Sequence, residues 1–182
     1  MLNDDRTLMI RCRRGDRDAF GDLIDRYQRA VFNVAYRLLG NRQDAEDAAQ
    51  EAFVRAFRAL GTFDIARPPA PWLKKIVVNV CLSWLDGAPP AADELDDETE
   101  AAPPAKSRPE EVAQAKGLER QLRAEIMRLP PRYRAVIELR HFQGLRYDEI
   151  AQALQRPLSD VKSDLFRARR MLAERLKDLK EP

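Results

Sequence analysis

The sequence predicts an all-α fold: two small helical domains joined by a flexible, acidic, proline-rich linker, the second domain a helix-turn-helix. Three observations predict it. Apolar residues recur at helical spacing through most of the 182 residues. Only Val77, Val78 and Val80 also fit a strand, and no second strand is there to pair with them. Between 88 and 111 the chain reads APPAADELDDETEAAPPAKSRPEE, with five of the 12 prolines and eight acids but almost no large apolar residue. Such a segment cannot bury enough surface to offset its ordering entropy. It separates residues 1–87 from residues 112–182.

The first half offers four helices. Asp4 to Arg14 is short and stops at Gly15. From Arg17 to Leu39, residues Phe20, Leu23, Ile24, Tyr27, Val31, Val34 and Leu38 fall on one stripe, and Gly40-Asn41 is a stop signal. A third helix, from about Gln43 to Leu60, buries an alanine-rich stripe and ends at Gly61. The loop GTFDIARPPAP follows, its prolines forbidding a continuous helix. The fourth helix starts near Trp72 and carries Leu73, Ile76, Val77, Val80, Cys81 and Leu85 inward.

The second half opens with an amphipathic helix from Glu110 to Leu129, stopped by Pro130-Pro131. Arg132 to Phe142 follows, closed by Gly144. Then comes YDEIAQALQRPLSDVKSDLFRARRMLAERL, Tyr147 to Leu176. A short apolar run at Ile150, Ala151 and Leu154 breaks at Gln155-Arg156-Pro157. Ser159 suits the N-cap of the next helix. At about 100° per residue, Val161, Leu165, Ala168, Leu172 and Leu176 share one stripe, with Ser163, Arg167 and Arg170 opposite and Lys162 on a flank. A short helix, a tight turn and a longer helix with a basic outer face form the helix-turn-helix pattern. Its second helix enters the DNA major groove.

Charge and composition narrow the function. Residues 1–87 hold 14 Lys/Arg against 12 Asp/Glu, and residues 112–182 hold 16 against 10. The basic C-terminal segment suits a polyanion. A single histidine, His141, excludes a His-based triad or a multi-His metal site. Cys12 and Cys81 lie in apolar-periodic stretches with no metal-ligand spacing and read as reduced core thiols. No apolar run reaches the roughly 20 residues of a membrane helix, and the charged start MLNDDRTLMIRCRRGD is unlike a signal peptide. The expected location is the cytoplasm. No catalytic, metal or cofactor residue is expected, and no small-molecule substrate.

The stretch LPPRYRAVIELRHFQGLRYDEIAQALQRPLSDVKSDLFRARRMLAERL, Leu129 to Leu176, resembles the promoter −35 recognition domain of extracytoplasmic-function RNA polymerase sigma factors. GDRDAFGDLIDRYQRAVFNVAYRLLGNRQDAEDAAQEAFVRAFRAL resembles that family's core-polymerase-binding segment, and DAEDAAQEAF is close to its most recognisable string. PWLKKIVVNVCLSWL and the loop before it resemble the −10 segment. The resemblance implies an alternative sigma factor, not an enzyme, that binds core RNA polymerase and directs transcription from −10 and −35 elements. In it, residues 1–87 form region 2 and residues 112–182 form region 4. Its partners would be promoter DNA, the polymerase's largest-subunit clamp helices and flap, and an anti-sigma factor gripping both halves.

Asp44, Asp47, Gln50 and Glu51 would meet the clamp. Their acidic face suits an arginine-rich helix, although acids near a helix start also offset its dipole. Phe63, Arg67, Trp72, Lys74, Lys75 and Asn79 would handle the −10 element, whose melting needs a pocket and aromatic, amide and basic groups. Trp72 reads equally as a core aromatic. Ser159, Lys162, Ser163, Asp164, Arg167 and Arg170 would face the −35 duplex. Asp164 stands where the family is usually basic, so it either retunes base preference or weakens binding. Gln155 stands where the family has Gly. Leu85-Asp86-Gly87 lacks the usual basic cluster, and RPPAPW is unusually rich in proline. A stand-alone helix-turn-helix regulator is the rival reading, and a helical interaction module without a DNA role is a third.

Overall fold

A computed structural model describes residues 2–87 and 109–178. Residues 88–108, most of the stretch read as a linker, lie outside the described residues. Every regular element described is helical, as the 3.6-residue periodicity requires.

Helix α1 spans Leu2–Arg13, α2 Arg17–Leu39, α3 Arg42–Ala59 and α4 Pro69–Gly87. Asp16 starts α2 by accepting the Ala19 N–H at 3.0 Å, and Asn41 starts α3 by accepting the Asp44 N–H at 3.1 Å. Gly40 ends α2 with φ of 79°, a left-handed conformation that costs glycine little. Helix α4 begins three residues before the expected Trp72. Pro69 and Pro71 sit in its first turn, where the missing N–H would have no intrahelical partner anyway.

Helices α2, α3 and α4 pack mutually around Leu23, Val31, Val34, Leu38, Leu73, Val77, Val78 and Val80, all essentially inaccessible. Ala45, Ala48, Ala49, Ala52 and Ala56 line the buried side of α3, and their small size lets its neighbours approach closely. Helix α1 lies on α2, where Arg26 and the Tyr27 hydroxyl donate to the two carboxylate oxygens of Asp5 at 2.6 and 2.7 Å.

Helix α5 spans Pro109–Met127, α6 Pro131–Ile137, α7 Tyr147–Leu154 and α8 Leu158–Asp178. Helix α6 continues as a π turn over Glu138–Phe142. Glu149 steadies the start of α7 by accepting the Arg146 N–H at 2.7 Å. Helix α8 begins at Leu158, so Ser159 lies inside its first turn and is not the N-cap; its hydroxyl reaches Asp160 at 3.2 Å. Leu139, Ile150, Val161, Leu165 and Ala168 are the fully buried centre of this half.

The two halves pack together, α4 against α6 and α7 and α2 against α5 and α6, so one apolar core runs through both. Each half also ends a helix of the other. Arg134 Nη1 donates to the Leu38 carbonyl in the last turn of α2 at 2.6 Å. Asn79 Nδ2 donates to the Ala153 carbonyl in the last turn of α7 at 3.1 Å. Carbonyls in a last helical turn have no intrahelical donor, so these bonds fill a need that each helix cannot meet alone. Arg37 adds a two-pronged pair to Glu138, both N–H···O distances being 2.8 Å.

Candidate nucleic-acid and polymerase-binding surfaces

The outward face of α3 is built by the same periodicity that buries its alanines. Asp44, Asp47 and Gln50 are exposed, whereas Glu51 is half-buried. Glu51 accepts the Trp84 indole N–H from α4 at 2.9 Å and pairs with Arg55 one turn on. Its carboxylate is therefore fixed in direction rather than free. Val54 and Phe57 continue this face, 48% and 49% exposed, and Phe57 meets Phe20 edge-on at 5.0 Å. With Phe53 and Ile24 they form a shallow apolar depression beside Gln50. Sequence reasoning missed this pair. The signal was present, since Asp47, Gln50, Val54 and Phe57 recur at helical spacing on the side opposite the alanines.

The six residues expected at the −10 element are scattered in exposure. Arg67 is exposed and pairs loosely with Asp64 at 3.4 Å. Phe63 is only 5% exposed, its ring 4.7 Å from that of Trp72. That corrects the expectation for Phe63, because burying so large a ring makes it a support for Trp72 and not an open stacking platform. Trp72 is half-buried, so both of its readings retain a face. Lys74 and Lys75 are half-buried. Burial holds the Lys74 ammonium below its ordinary value; nearby Arg37 pushes the same way and Glu138 opposes. Asn79 faces the other half through its bond to Ala153.

On α8 the expected division of faces holds with one exception. Ser159, Lys162, Ser163, Arg167 and Arg170 are exposed, and Val161, Leu165 and Ala168 are buried. Asp164 is the exception, only 4% exposed. It accepts Arg156 Nη1 from the turn at 2.6 Å. The expectation that Asp164 faces DNA is corrected: from the border of the stripe it turns inward, where a carboxylate survives only with a partner. Phe166, 68% exposed beside Arg167, was not anticipated. The Arg167 and Arg132 guanidiniums beside the Tyr133 hydroxyl hold that phenol below its ordinary pKa, and Arg132 Nη2 donates to it at 3.1 Å. Gln155 has φ of 53°, the left-handed turn that Gly would fill more easily.

A groove of about 370 Å³ runs between α2 and α5, with Phe32, Tyr36 and Phe142 as aromatic walls and Arg29, Arg37 and Arg123 along it. Among the described residues no cluster of metal-ligating side chains occurs, and no helix is long and apolar enough to cross a membrane.

Comparison with known proteins gives these surfaces a context. The family model for Sigma-70 region 2 matches residues 23–88, and that for Sigma-70, region 4 matches residues 119–172. The chain is 33% identical over 176 residues to the ECF RNA polymerase sigma factor SigW of Bacillus subtilis, covering 92% of this chain and 94% of that one. It is 34% identical over 184 residues to the RNA polymerase sigma-H factor of Pseudomonas aeruginosa, covering 96% and 95%. CnrH, solved in complex with the cytosolic domain of CnrY, superposes with a TM-score of 0.63 at 25% identity, over 96% of this chain and 97% of that one. With both surfaces carried on matching segments in the same order, the chain belongs to the extracytoplasmic-function family of RNA polymerase sigma factors, which bind core RNA polymerase and direct promoter-specific transcription.

Proposed function

We propose that this chain divides the work of a sigma factor among three helices. Helix α3 docks on the clamp helices of the polymerase largest subunit through Asp44, Asp47 and Gln50, with Val54 and Phe57 as an apolar centre and Glu51 as an oriented acceptor. Helix α4 and the loop before it open and hold the −10 element through Arg67, Trp72, Lys74, Lys75 and Asn79. Helix α8 reads the −35 duplex through Ser159, Lys162, Ser163, Arg167 and Arg170, while the remainder of the C-terminal half meets the polymerase flap.

The observation that carries the reading is the sidedness of α8. Its cations and small hydroxyls stand in solvent on one face, above a stripe of Val161, Leu165 and Ala168 that is almost wholly buried. Cations on such a face release counterions from phosphates, and hydroxyls and guanidiniums bond base edges. The polymerase supplies the chemistry, so the chain itself acts without catalysis, in the cytoplasm. An anti-sigma protein gripping both halves would find aromatic walls and arginines in the groove between α2 and α5.

Run-off transcription with core polymerase on a promoter library tests the reading and yields the consensus. Transcripts from a defined pair of elements are expected. A chain that fails to bind core polymerase yet footprints a palindromic duplex would instead be a stand-alone helix-turn-helix regulator.

A further inference from the structure

The corner between α1 and α2 carries cations that the fold does not use. Arg13 closes α1, Arg14 follows it, and Arg17 opens α2. All three are exposed, as is Arg58 in the last turn of α3. Among the described residues, none of these four guanidiniums is hydrogen-bonded or ion-paired. Of the two acids in the same stretch, Asp16 is held by Arg11 and by the Ala19 N–H, which leaves Asp18 to offset them. Arg13 gains from its place at the end of α1. Arg17, in the first turn of α2, is repelled by the helix dipole, and neighbouring like charges repel one another. Stability does not account for this grouping, whereas an anionic partner does.

The corner also sits beside the loop that precedes α4. Phe20, one turn after Arg17, meets Phe57 edge-on at 5.0 Å, which sets the first turn of α2 against the last turn of α3. Helix α1 touches the short turn Leu60–Thr62 that leads into the loop. Direction follows from α2. About 30 Å of helix separates Arg17 from Arg37, which pairs with Glu138 of the −35-reading half. The −35 element is upstream, so the corner lies on the downstream side of the loop.

We propose that the α1–α2 corner grips the phosphates of the single strand just downstream of the −10 element, through Arg13, Arg14 and Arg17 with Arg58 beside them. The inference rests on the −10 assignment of the loop before α4. Once the duplex opens, the strand leaving that loop is flexible, and cations along its path hold it without reading its bases. Closed duplex is too stiff to follow so short a path, so the grip favours the melted state.

The test uses the full chain assembled on core polymerase. Two fork-junction DNAs carry the elements selected in run-off transcription. In one, the non-template strand stops at the last −10 nucleotide; in the other it runs on by about six nucleotides, a length that a small single-strand-binding surface covers. The variant is Arg13→Ala/Arg14→Ala/Arg17→Ala, checked for unchanged helical circular dichroism and for its affinity for core polymerase. It should lose on the order of tenfold in affinity for the longer fork, with the salt slope reduced by about 2, and nothing on the shorter one. The loss should be equal for two unrelated extension sequences. An equal loss on both forks, no loss on either, or a loss that depends on the extension sequence overturns the phosphate grip. A folded variant that binds core polymerase poorly overturns it too, since the arginines then serve a protein partner. The loop is tested apart with Arg67→Ala/Trp72→Ala, which should weaken both forks. If that variant weakens neither, the −10 assignment of the loop fails, while a loss confined to the longer fork still stands for the corner.

Discussion

Asp164 shows how one side chain changes meaning between sequence and structure. On the wheel it borders the DNA-facing side, and its charge invites a role in base preference. In the fold it turns inward and neutralises Arg156 from the turn. Its substitution should therefore read out as stability. Asp164→Ala leaves Arg156 without its closest partner and should cost about 2 kcal/mol, seen as a lower melting temperature. Base preference, measured below that temperature by duplex selection, should not change. Gln155 carries the opposite prediction. It stands where the family has Gly, its backbone is left-handed, and Gln155→Gly should raise stability by about 1 kcal/mol in thermal melts. The place of the turn was legible because Gln155-Arg156-Pro157 breaks the apolar run. The orientation of Asp164 was not legible, because helical periodicity leaves a border residue to be decided by whichever partner lies nearby.

Single helices explain more of the function than single residues do. Arg167 projects from the exposed face of α8, so Arg167→Ala should weaken −35 duplex binding and reduce the salt slope by about 1. An unchanged slope in a salt titration would place Arg167 off the phosphate. On α3, Asp47 is exposed and clear of the core, so Asp47→Lys should weaken core-polymerase binding without altering the helical spectrum. Helix α2 depends on its first turn. The Ala19 N–H, and after it Arg11, hold the Asp16 carboxyl below its ordinary value of 3.8. A depressed carboxyl adds stability above that ordinary value and loses it as pH falls through the lower folded one. The stability gap between the parent and Asp16→Ala should persist at pH 7 and close in strong acid, as followed by chemical denaturation. Helix extents were largely legible from caps and glycines. The start of α4 was not, because Pro69 and Pro71 read as breakers until a first turn is there to accept them.

At the scale of the whole molecule, the sequence announces two halves and says nothing of how they meet. The meeting depends on groups that pattern reasoning treats as surface or as helix ends. Arg134 is buried on the Leu38 carbonyl, and Asn79 is bonded to Ala153, so each half completes the other. Asn79 is an amide in an otherwise apolar run and needs a partner; the partner in this structure is protein. A shared core also couples the thiols to global unfolding. Burial pushes the Cys81 thiol up to about 12, and Cys12 is raised for the same reason. Neither should react with iodoacetamide at pH 8 until the core opens.

The bond from the Trp84 indole to Glu51 joins the far end of α4 to the face of α3. Trp84 is one of only two tryptophans in the chain. In a Trp72→Phe background its emission becomes a private optical signal for that carboxylate. A partner arginine that draws Glu51 away would change the field at the indole ring, and the emission maximum would move. Polymerase engagement through the proposed α3 face could then be timed in a stopped-flow instrument with no dye attached, by following the indole that donates to Glu51.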